Sequence, residues 1–318
     1  MASRERLRLE RLLSDQEDLF KEAFVAFLRD ARSDTVMAEV SDRLERRDLE
    51  GALRIVDSYV IRLSTVVPRA FQRAARLEME GQASLLQPLV GAVAIGFDPG
   101  DRRAADLMRR SQLTFVREFG QEQRRATTLA LGEALASGEG LRSAARAFRD
   151  SIGLTEHQER VVRNYRRLLE SRSAQALDRD LRDRRFDPTI RGAIERDEPM
   201  TTKQIDRMTE RYRERYLMLR AETIARTEGL RVTGIARKEA FRQVVEDTGI
   251  DRSQIRRVWN ATQDARTRDS HAAMDGQEVG LDEPFTSGAG HRLMFPGDPQ
   301  APPEEVIQCR CVVTNRVL

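Results

Sequence analysis

Cysteine is almost absent from this chain of 318 residues, which contains only Cys309 and Cys311. Two cysteines do not indicate the disulfide framework of a small secreted protein. Aromatic residues are also scarce at 5%, whereas hydrophobic residues at 40% are sufficient to form a core. Together with the 34% of charged residues, this composition predicts a folded chain built mostly from amphipathic helices.

Long hydrophobic runs are missing as well. The most apolar segment, residues 85–97, is interrupted by a proline and two glycines, and it is shorter than the roughly 20 residues that a membrane-spanning helix needs. We therefore expect this segment to be buried core. The first residues are rich in arginine and contain no apolar run, which argues against a secretory signal. These features predict a protein made in a cytoplasm, with no membrane partner.

The short motifs of several enzyme classes are absent too. The sequence contains no phosphate-binding G-x-x-x-x-G-K-[ST] loop, no H-E-x-x-H pair and no G-x-S-x-G turn. Their absence argues against nucleotide-dependent and acyl-transfer chemistry. The net charge of only +3, with acidic residues interleaved among the basic ones, does not by itself indicate a nucleic-acid partner.

Helical periodicity dominates the first 250 residues. Apolar residues recur at steps of three and four from Leu19 to Leu28, which predicts an amphipathic helix near the start of the chain. A Ser or Thr followed three residues later by Glu or Gln is the signature of a capping box at a helix N-terminus. Three such pairs predict helix starts, namely Ser14 with Glu17, Thr155 with Gln158, and Thr201 with Gln204.

Beyond residue 250 the texture changes, because glycine and proline become frequent and short β-like runs appear at RRVWNA, QEVGL, RLMF and VIQCRCVV. The predicted fold class is α+β, with a mostly α-helical N-terminal body and a small C-terminal α+β module containing a short antiparallel sheet. Turn-rich segments divide the chain. The predicted regions are an N-terminal helical region at 1–98, an arginine-rich helical region at 99–200, and a C-terminal module at 201–318.

Histidine is nearly as rare as cysteine, and His271 and His291 both lie in the C-terminal module with Cys309 and Cys311. The two cysteines are two residues apart on a predicted strand, so both side chains should face the same way. With both histidines they could form a tetrahedral Cys2His2 zinc site, which would be structural because all four positions are filled. The alternative is a pair of packed, reduced thiols without metal.

Segment 264–277 predicts a short helix that begins after Asp264 and stops at Gly276. His271 and Asp275, four residues apart, would then share a helix face. Asp275 would orient His271 for metal binding or proton transfer, or the pair would only connect the helix to the sheet. A buried ion network is also predicted here, formed by Arg266, Arg268 and Asp269.

A basic stretch at 160–185 contains nine arginines against four acidic residues. Such a stripe could contact a DNA backbone or an acidic protein surface, or it could be a solvated helix face. The candidate contact residues are Arg160, Arg163, Arg166 and Arg167.

The order of motifs in the last third of the chain resembles a known family. AETIARTEGL is followed by RRVWNAT, DARTRDSHAAMDGQEV and CRC, as in the phage head morphogenesis family, the Mu F-like minor head proteins of tailed bacteriophages. The resemblance runs from about 200 to 313. The positions that match the family motifs are Arg226, Thr227, Glu228, Trp259, Asp264, Arg266, Arg268, His271, Asp275, Gly276, Cys309 and Cys311.

This resemblance implies a minor capsid protein that is not an enzyme. It would be located in the virion head near the portal, would have the portal protein and capsid proteins as partners, and would assist the packaging or delivery of DNA that it contacts. Two other interpretations stay open. One is a metal-dependent nuclease or hydrolase that uses His271 with Asp264 or Asp275. The other is a DNA-binding module that uses the basic stretch.

Overall fold

The computed structural model of the chain describes residues 4–90, 97–136 and 140–318, without the side chains of 82–90, 141 and 317. The apolar segment predicted to be core, 85–97, lies almost entirely outside these described side chains. In the described part, helices predominate and a small antiparallel sheet lies near the C-terminus, which confirms the predicted fold class. None of the described helices has a stretch that is long and apolar enough to cross a lipid bilayer.

The described part contains eleven α-helices. They are α1 Arg4–Ala31, α2 Asp34–Glu45, α3 Leu49–Leu63, α4 Val66–Val90, α5 Arg102–Ala136, α6 Leu141–Ser151, α7 Glu156–Glu170, α8 Asp187–Glu195, α9 Thr202–Thr248, α10 Asp269–Ala272 and α11 Pro303–Val306. Five strands occur there too, namely β1 Ile255–Asn260, β2 Glu278–Gly280, β3 Phe285–Thr286, β4 Arg292–Leu293 and β5 Val312–Val317.

Two of the three predicted capping boxes are confirmed. Thr155 accepts a hydrogen bond from the backbone of Gln158 at the start of α7 and its own backbone N–H donates to the Gln158 side chain, and Thr201 and Gln204 do the same before α9. The box predicted at Ser14 is wrong, because α1 runs through this position. Leu9 and Leu12 are buried and continue the apolar stripe toward the N-terminus, so the helix begins ten residues earlier.

The chain divides into two compact units that are not contiguous in sequence. Unit 1 is drawn from Met1–Phe24, Ser64–Thr114 and Glu222–Leu318, and unit 2 from Val25–Leu63 and Phe115–Ala221. Three long helices, α1, α5 and α9, contribute residues to both units. Glycine- and proline-rich segments indicate turns along the chain, but they do not show where a long helix passes from one unit to another. The three-part division at residues 98 and 200 stays a prediction.

Unit 2 has a core of apolar side chains from α7, α8 and the first part of α9. Tyr165 and Tyr212 lie in its centre, with ring centroids 4.2 Å apart, and Leu169 is fully buried beside them. α7 and α9 each present one buried stripe to this core, because their apolar residues recur at helical spacing. We call this cluster, between residues 154 and 217, the α7–α9 core.

The sheet of unit 1 has the order β2-β1-β5, with both pairs antiparallel. Its central strand β1 alternates buried and partly exposed residues, so Ile255, Arg257 and Trp259 face the interior. Strands β3 and β4 form a separate two-stranded sheet. Residues 255–318 therefore have a core built from short strands and the loops between them. From here on the name C-terminal module refers to these residues, without the helix α9 that the predicted module at 201–318 included.

Candidate functional site

A buried cluster of one histidine and two cysteines lies in the C-terminal module. His271 Nδ1 is 3.5 Å from the Sγ atom of Cys309 and 3.5 Å from that of Cys311. The three side chains are almost completely buried, and both cysteines are reduced. Among the described residues, this is the one group of three or more His, Cys, Asp or Glu side chains whose ligand atoms converge, all within 4.8 Å of one another.

A buried carboxylate, Glu305, lies on the other side of the imidazole. Its Oε2 atom is 2.9 Å from His271 Nε2, at an angle that does not make a hydrogen bond. It accepts hydrogen bonds from Ser270 at 2.9 Å and Ser287 at 2.7 Å, and His291 Nδ1 lies 2.9 Å from its Oε1. Burial alone would raise the pKa of Glu305, but these hydrogen bonds outweigh burial and lower its pKa to about 2.

The two thiols have opposite protonation preferences. A hydrogen bond from Cys309 and the contact with His271 outweigh burial and lower the pKa of Cys311 to about 5. The same hydrogen bond to Cys311, together with burial, raises the pKa of Cys309 well above its usual value. The two shifts are therefore opposite in direction, and the largest cause of each is the contact between the two thiols.

Local backbone geometry brings His271 to this place. The four-residue helix α10 is followed by Gly276, whose φ of +74° a residue with a side chain rarely adopts. The Gly276 N–H donates to the carbonyl of Trp259 at the end of β1. Asp275 accepts a hydrogen bond from the backbone N–H of Ala261 at 2.8 Å, so the helix is attached to the end of the strand.

The helix α9 supports the segment that carries the cysteines. Arg226 forms an ion pair with Glu17 at 3.1 Å and donates to the Gln308 side chain at 2.9 Å. Thr227 accepts a hydrogen bond from the backbone N–H of Gln308 at 3.3 Å. Gln308 has a positive φ of 59° and directly precedes Cys309, so these contacts hold the turn that places the first thiol.

An ion pair between Arg310 and Asp264 also stabilises the segment that carries the cysteines. Arg310, between the two cysteines, binds Asp264 through both of its terminal nitrogens. The Arg310 guanidinium holds the pKa of Asp264 well below its usual range. Arg268 donates to the carbonyl of Ile307 just before the turn. Both acidic and basic motif residues therefore fasten the loop that bears the thiols.

Several site predictions need correction. Cys309 and Cys311 precede β5 rather than lying on a strand, although they still face the same way, because the chain is extended and buries alternate residues there. Asp275 does not contact His271, because its carboxylate accepts hydrogen bonds from the backbone N–H of Ala261 and from the side chain of Gln263. The helix α10 begins at Asp269, so Asp264 is not its N-cap.

The predicted buried ion network also has a different form. Arg266 is exposed and lies 4.0 Å from Asp264. Arg268 bonds to a backbone carbonyl instead of a carboxylate. Glu228 lies on α9 and pairs with Arg231 at 3.3 Å, three residues away on the same helix.

The structure brings together three of the four predicted metal ligands. His271, Cys309 and Cys311 converge, whereas His291 is directed to Glu305. Metal binding itself stays a prediction. Sequence reasoning missed Glu305, and it missed the serines that hold it, because nothing in the PPEEV segment distinguishes a buried carboxylate from an exposed one. The one available signal was its position four residues before the first cysteine.

The candidate arginines of the basic stretch are engaged with carboxylates of unit 2. Arg163 pairs with Glu159 at 2.7 Å and with Glu133 at 2.9 Å, and Arg166 pairs with Asp206 at 2.6 Å. Arg160 pairs with Glu156, and Arg167 lies 3.5 Å from Glu133. A phosphate backbone would have to compete with these neighbours for the guanidinium groups. Contact with DNA at these positions stays a prediction.

Comparison with known families defines the class of the C-terminal region. Residues 195–314 match the family model described as Phage Mu protein F like protein. This match confirms the resemblance predicted from the motifs, and residues 195–314 are a phage Mu F-like region. The matched range contains all of α9, the strands β1 to β4, the first half of β5 and the His/Cys/Cys cluster.

Three curated proteins are similar to parts of the chain. It is 37% identical over 94 residues to NAD(+)-arginine ADP-ribosyltransferase EFV of Enterococcus faecalis, a match that covers 30% of this chain and 18% of that protein. It is 30% identical over 96 residues to minor head protein GP7 of Bacillus phage SPP1, covering 30% of this chain and 29% of that protein. The match to protein YqbB of Bacillus subtilis is 30% identical over 96 residues and covers 30% of both.

The chain thus spans less than a third of each curated relative that it matches. No solved structure gives a significant match to this chain.

Proposed function

We propose that this protein is a minor head protein of a tailed bacteriophage that acts in head morphogenesis. The observation that carries this proposal is the phage Mu F-like region at 195–314, whose part from Glu222 onward lies in unit 1 and contains the His/Cys/Cys cluster. The similarity to minor head protein GP7 supports the same role. In this role the chain associates with the portal protein and capsid proteins near the portal, and it assists DNA packaging or delivery.

The arrangement of the buried cluster supports a structural rather than an enzymatic role. A hydrolase that used His271 with Asp264 or Asp275 would need these groups together in a cleft that admits substrate. Asp264 is instead bound by Arg310, Asp275 is bound to a backbone N–H, and His271 is 1% exposed. The similarity to an ADP-ribosyltransferase covers 18% of that protein and carries no catalytic assignment to this chain.

The test of the proposed function is the composition of heads made in cells that carry the encoding phage or prophage. Quantitative mass spectrometry of purified heads should find the chain in far fewer copies than the major capsid protein. Deletion of the gene should lower the yield of heads filled with DNA, and complementation in trans should restore it. Absence of the chain from purified heads, together with a normal yield after deletion, would overturn the proposal.

DNA contact is the second candidate, motivated by the basic stretch of unit 2. Electrostatic binding to a phosphate backbone loses affinity steeply as salt increases, by roughly 10³ to 10⁵ between 50 and 200 mM salt when six to ten phosphates are contacted. A variant with Arg160 and Arg167 both replaced by Gln, the two most exposed of the four arginines, should weaken duplex binding by the full-length protein. Binding that is insensitive to both salt and these substitutions would reject DNA contact at this surface.

A further inference from the structure

The His/Cys/Cys cluster has the form of a metal site. We propose that His271 Nδ1 and the Sγ atoms of Cys309 and Cys311 bind one zinc ion, and that this ion stabilises the C-terminal module. The proposal does not depend on a role in head assembly, because it concerns only three side chains within unit 1 and their buried surroundings.

The distances between the ligand atoms fit tetrahedral zinc. Zinc lies about 2.0–2.1 Å from a histidine nitrogen and about 2.3 Å from a cysteine sulfur, so a tetrahedral angle puts nitrogen and sulfur about 3.5 Å apart. The two nitrogen–sulfur distances are both 3.5 Å. All three ligand atoms also lie within 4.8 Å of one another. This upper limit is compatible with the roughly 3.8 Å expected between two sulfurs bound to one zinc.

Hydrogen bonding alone explains this arrangement poorly. A neutral imidazole nitrogen either donates one hydrogen or accepts through one lone pair, so Nδ1 can make one well-directed bond. Here two sulfur atoms lie at the same distance from that single nitrogen. An ion at the centre contacts the nitrogen and both sulfurs simultaneously, which a single hydrogen bond at Nδ1 does not.

The surroundings of the imidazole are those of a metal ligand. A zinc-bound histidine usually directs its other ring nitrogen to a carboxylate, which sets the tautomer and orients the ring. Glu305 Oε2 lies 2.9 Å from Nε2, and Glu305 is held by Ser270, Ser287 and His291. The charge of the adjacent Glu305 carboxylate favours the tautomer with its hydrogen on Nε2, and in that tautomer the lone pair of Nδ1 is directed to the sulfurs.

Three protein ligands leave one position of a tetrahedral ion for a small ligand such as water. His291 does not fill this position, because its Nδ1 lies against Glu305. The site differs from a hydrolytic zinc centre in two respects. Its ligands are 1–3% exposed, and the nearest carboxylate already serves three donors, so it is not free to accept a proton from bound water. A structural ion follows from both observations.

The decisive measurement is the zinc content of the full-length protein by elemental analysis. The wild type should contain one zinc per chain, and the variants His271→Ala and Cys309→Ser/Cys311→Ser should contain none. Two histidine variants are matched controls. His157→Ala, at an exposed position of unit 2, and His291→Ala, in the module but outside the ligand group, should both keep one zinc per chain. Loss of zinc in His291→Ala would replace the three-ligand site with a four-ligand one and overturn this proposal.

Glu305→Gln tests the role of the carboxylate separately. It removes the charge beside His271 while keeping the shape of the side chain, so zinc should still bind but with affinity lowered by about 10- to 100-fold. The measurement is a competition titration against a chelator of known affinity. An unchanged affinity in this variant would contradict the arrangement in which Glu305 orients His271.

A second measurement keeps the proposal testable if the ligand variants fail to fold. Wild-type protein freed of metal with a chelator is titrated with Co²⁺, which should produce a sulfur-to-cobalt charge-transfer band and reach saturation at one ion per chain. Trp259, the only tryptophan, lies edge-to-face against His271 with centroids 5.4 Å apart, so its fluorescence should be quenched at the same stoichiometry. A folded wild type that contains no zinc and binds no cobalt, with both thiols free, would show a packed thiol cluster and overturn the proposal.

Discussion

The α7–α9 core and the C-terminal module are held together in different ways. The α7–α9 core consists of apolar side chains from α7, α8 and the first part of α9, with Leu169, Tyr165 and Tyr212 buried among them. In the C-terminal module, Trp259 and Phe285 share the interior with His271, Cys309, Cys311 and Glu305. Helices of 15 residues or more satisfy their own backbone groups, so their cores can be purely apolar. Strands of two to six residues leave many loop groups to be satisfied by buried side chains.

Arg257 illustrates the second arrangement. Although it faces the interior from β1, its guanidinium donates to the carbonyls of Gly280, Glu283 and Met294 and lies over the ring of Phe285 at 5.1 Å. Burial lowers the pKa of Arg257 to about 10, so it remains charged at neutral pH. One charged side chain thereby donates to the carbonyls of one strand position and two loop positions.

The largest effect should come from Trp259→Ala, which removes a large buried side chain from the core of the C-terminal module. Removing a fully buried tryptophan should cost about 3–5 kcal/mol of stability. Native-state hydrogen exchange should then show loss of protection in residues 255–318, while the α7–α9 core keeps its protection. The matched variant Leu169→Ala should have the opposite distribution. Equal loss of protection in both regions after either substitution would mean that the two cores are not separate.

Arg257→Met tests whether the module depends on its buried charge. The substitution removes a donor from three carbonyls, of which only that of Gly280 also accepts from the Glu283 N–H. We expect a loss of about 2–3 kcal/mol in the free energy of unfolding, measured by urea denaturation. Arg252→Met is the control, because that arginine forms a surface ion pair with Asp282 and such pairs contribute about 0–1 kcal/mol. A loss no larger than that of the control would show that the carbonyls find other donors.

Acid should weaken unit 2 through Asp183, a buried carboxyl group that accepts hydrogen bonds from Arg185. Hydrogen bonds from the Arg185 side chain and backbone lower the pKa of Asp183 from 3.8 to about 2. Because the folded pKa is the lower one, the stabilisation is present above pH 3.8 and is lost as the pH falls toward 2.

Asp183→Asn should therefore flatten part of the acid dependence of unit 2 stability, measured by denaturation at several pH values. Glu195→Gln, at an exposed position of α8, is the control and should leave the dependence unchanged. An identical acid dependence in wild type and Asp183→Asn would contradict a stabilising contact between Asp183 and Arg185.

The smallest effect should come from the cap of α7. Thr155→Ala removes the side-chain acceptor of the capping box and should cost about 1 kcal/mol. Ser33→Ala is a matched control in the same unit, since Ser33 precedes α2 but its side chain makes no capping hydrogen bond. Thermal denaturation of the two variants should separate them by a few degrees. Equal melting temperatures would show that the cap contributes nothing in this context.

The amino-acid sequence by itself determined the helical character of the chain, the α+β class of its last part and two of the three capping boxes. These follow from local patterns, because a residue three or four positions away is a neighbour in any helix. The phage Mu F-like region could also be recognised from the sequence, because the motifs that contain Arg226, Trp259 and the two cysteines occur in the family's order along the chain.

Only the tertiary structure decided which side chains meet. His271 meets Glu305 rather than Asp275, and His291 meets Glu305 rather than the thiols, although the sequence spacing favoured the other pairs. The helix that would have placed Asp275 beside His271 is only four residues long, and the Asp275 carboxylate instead accepts a hydrogen bond from the backbone N–H of Ala261. Contacts between residues 14 to 34 positions apart depend on the path of the loops, and local periodicity carries no information about that path.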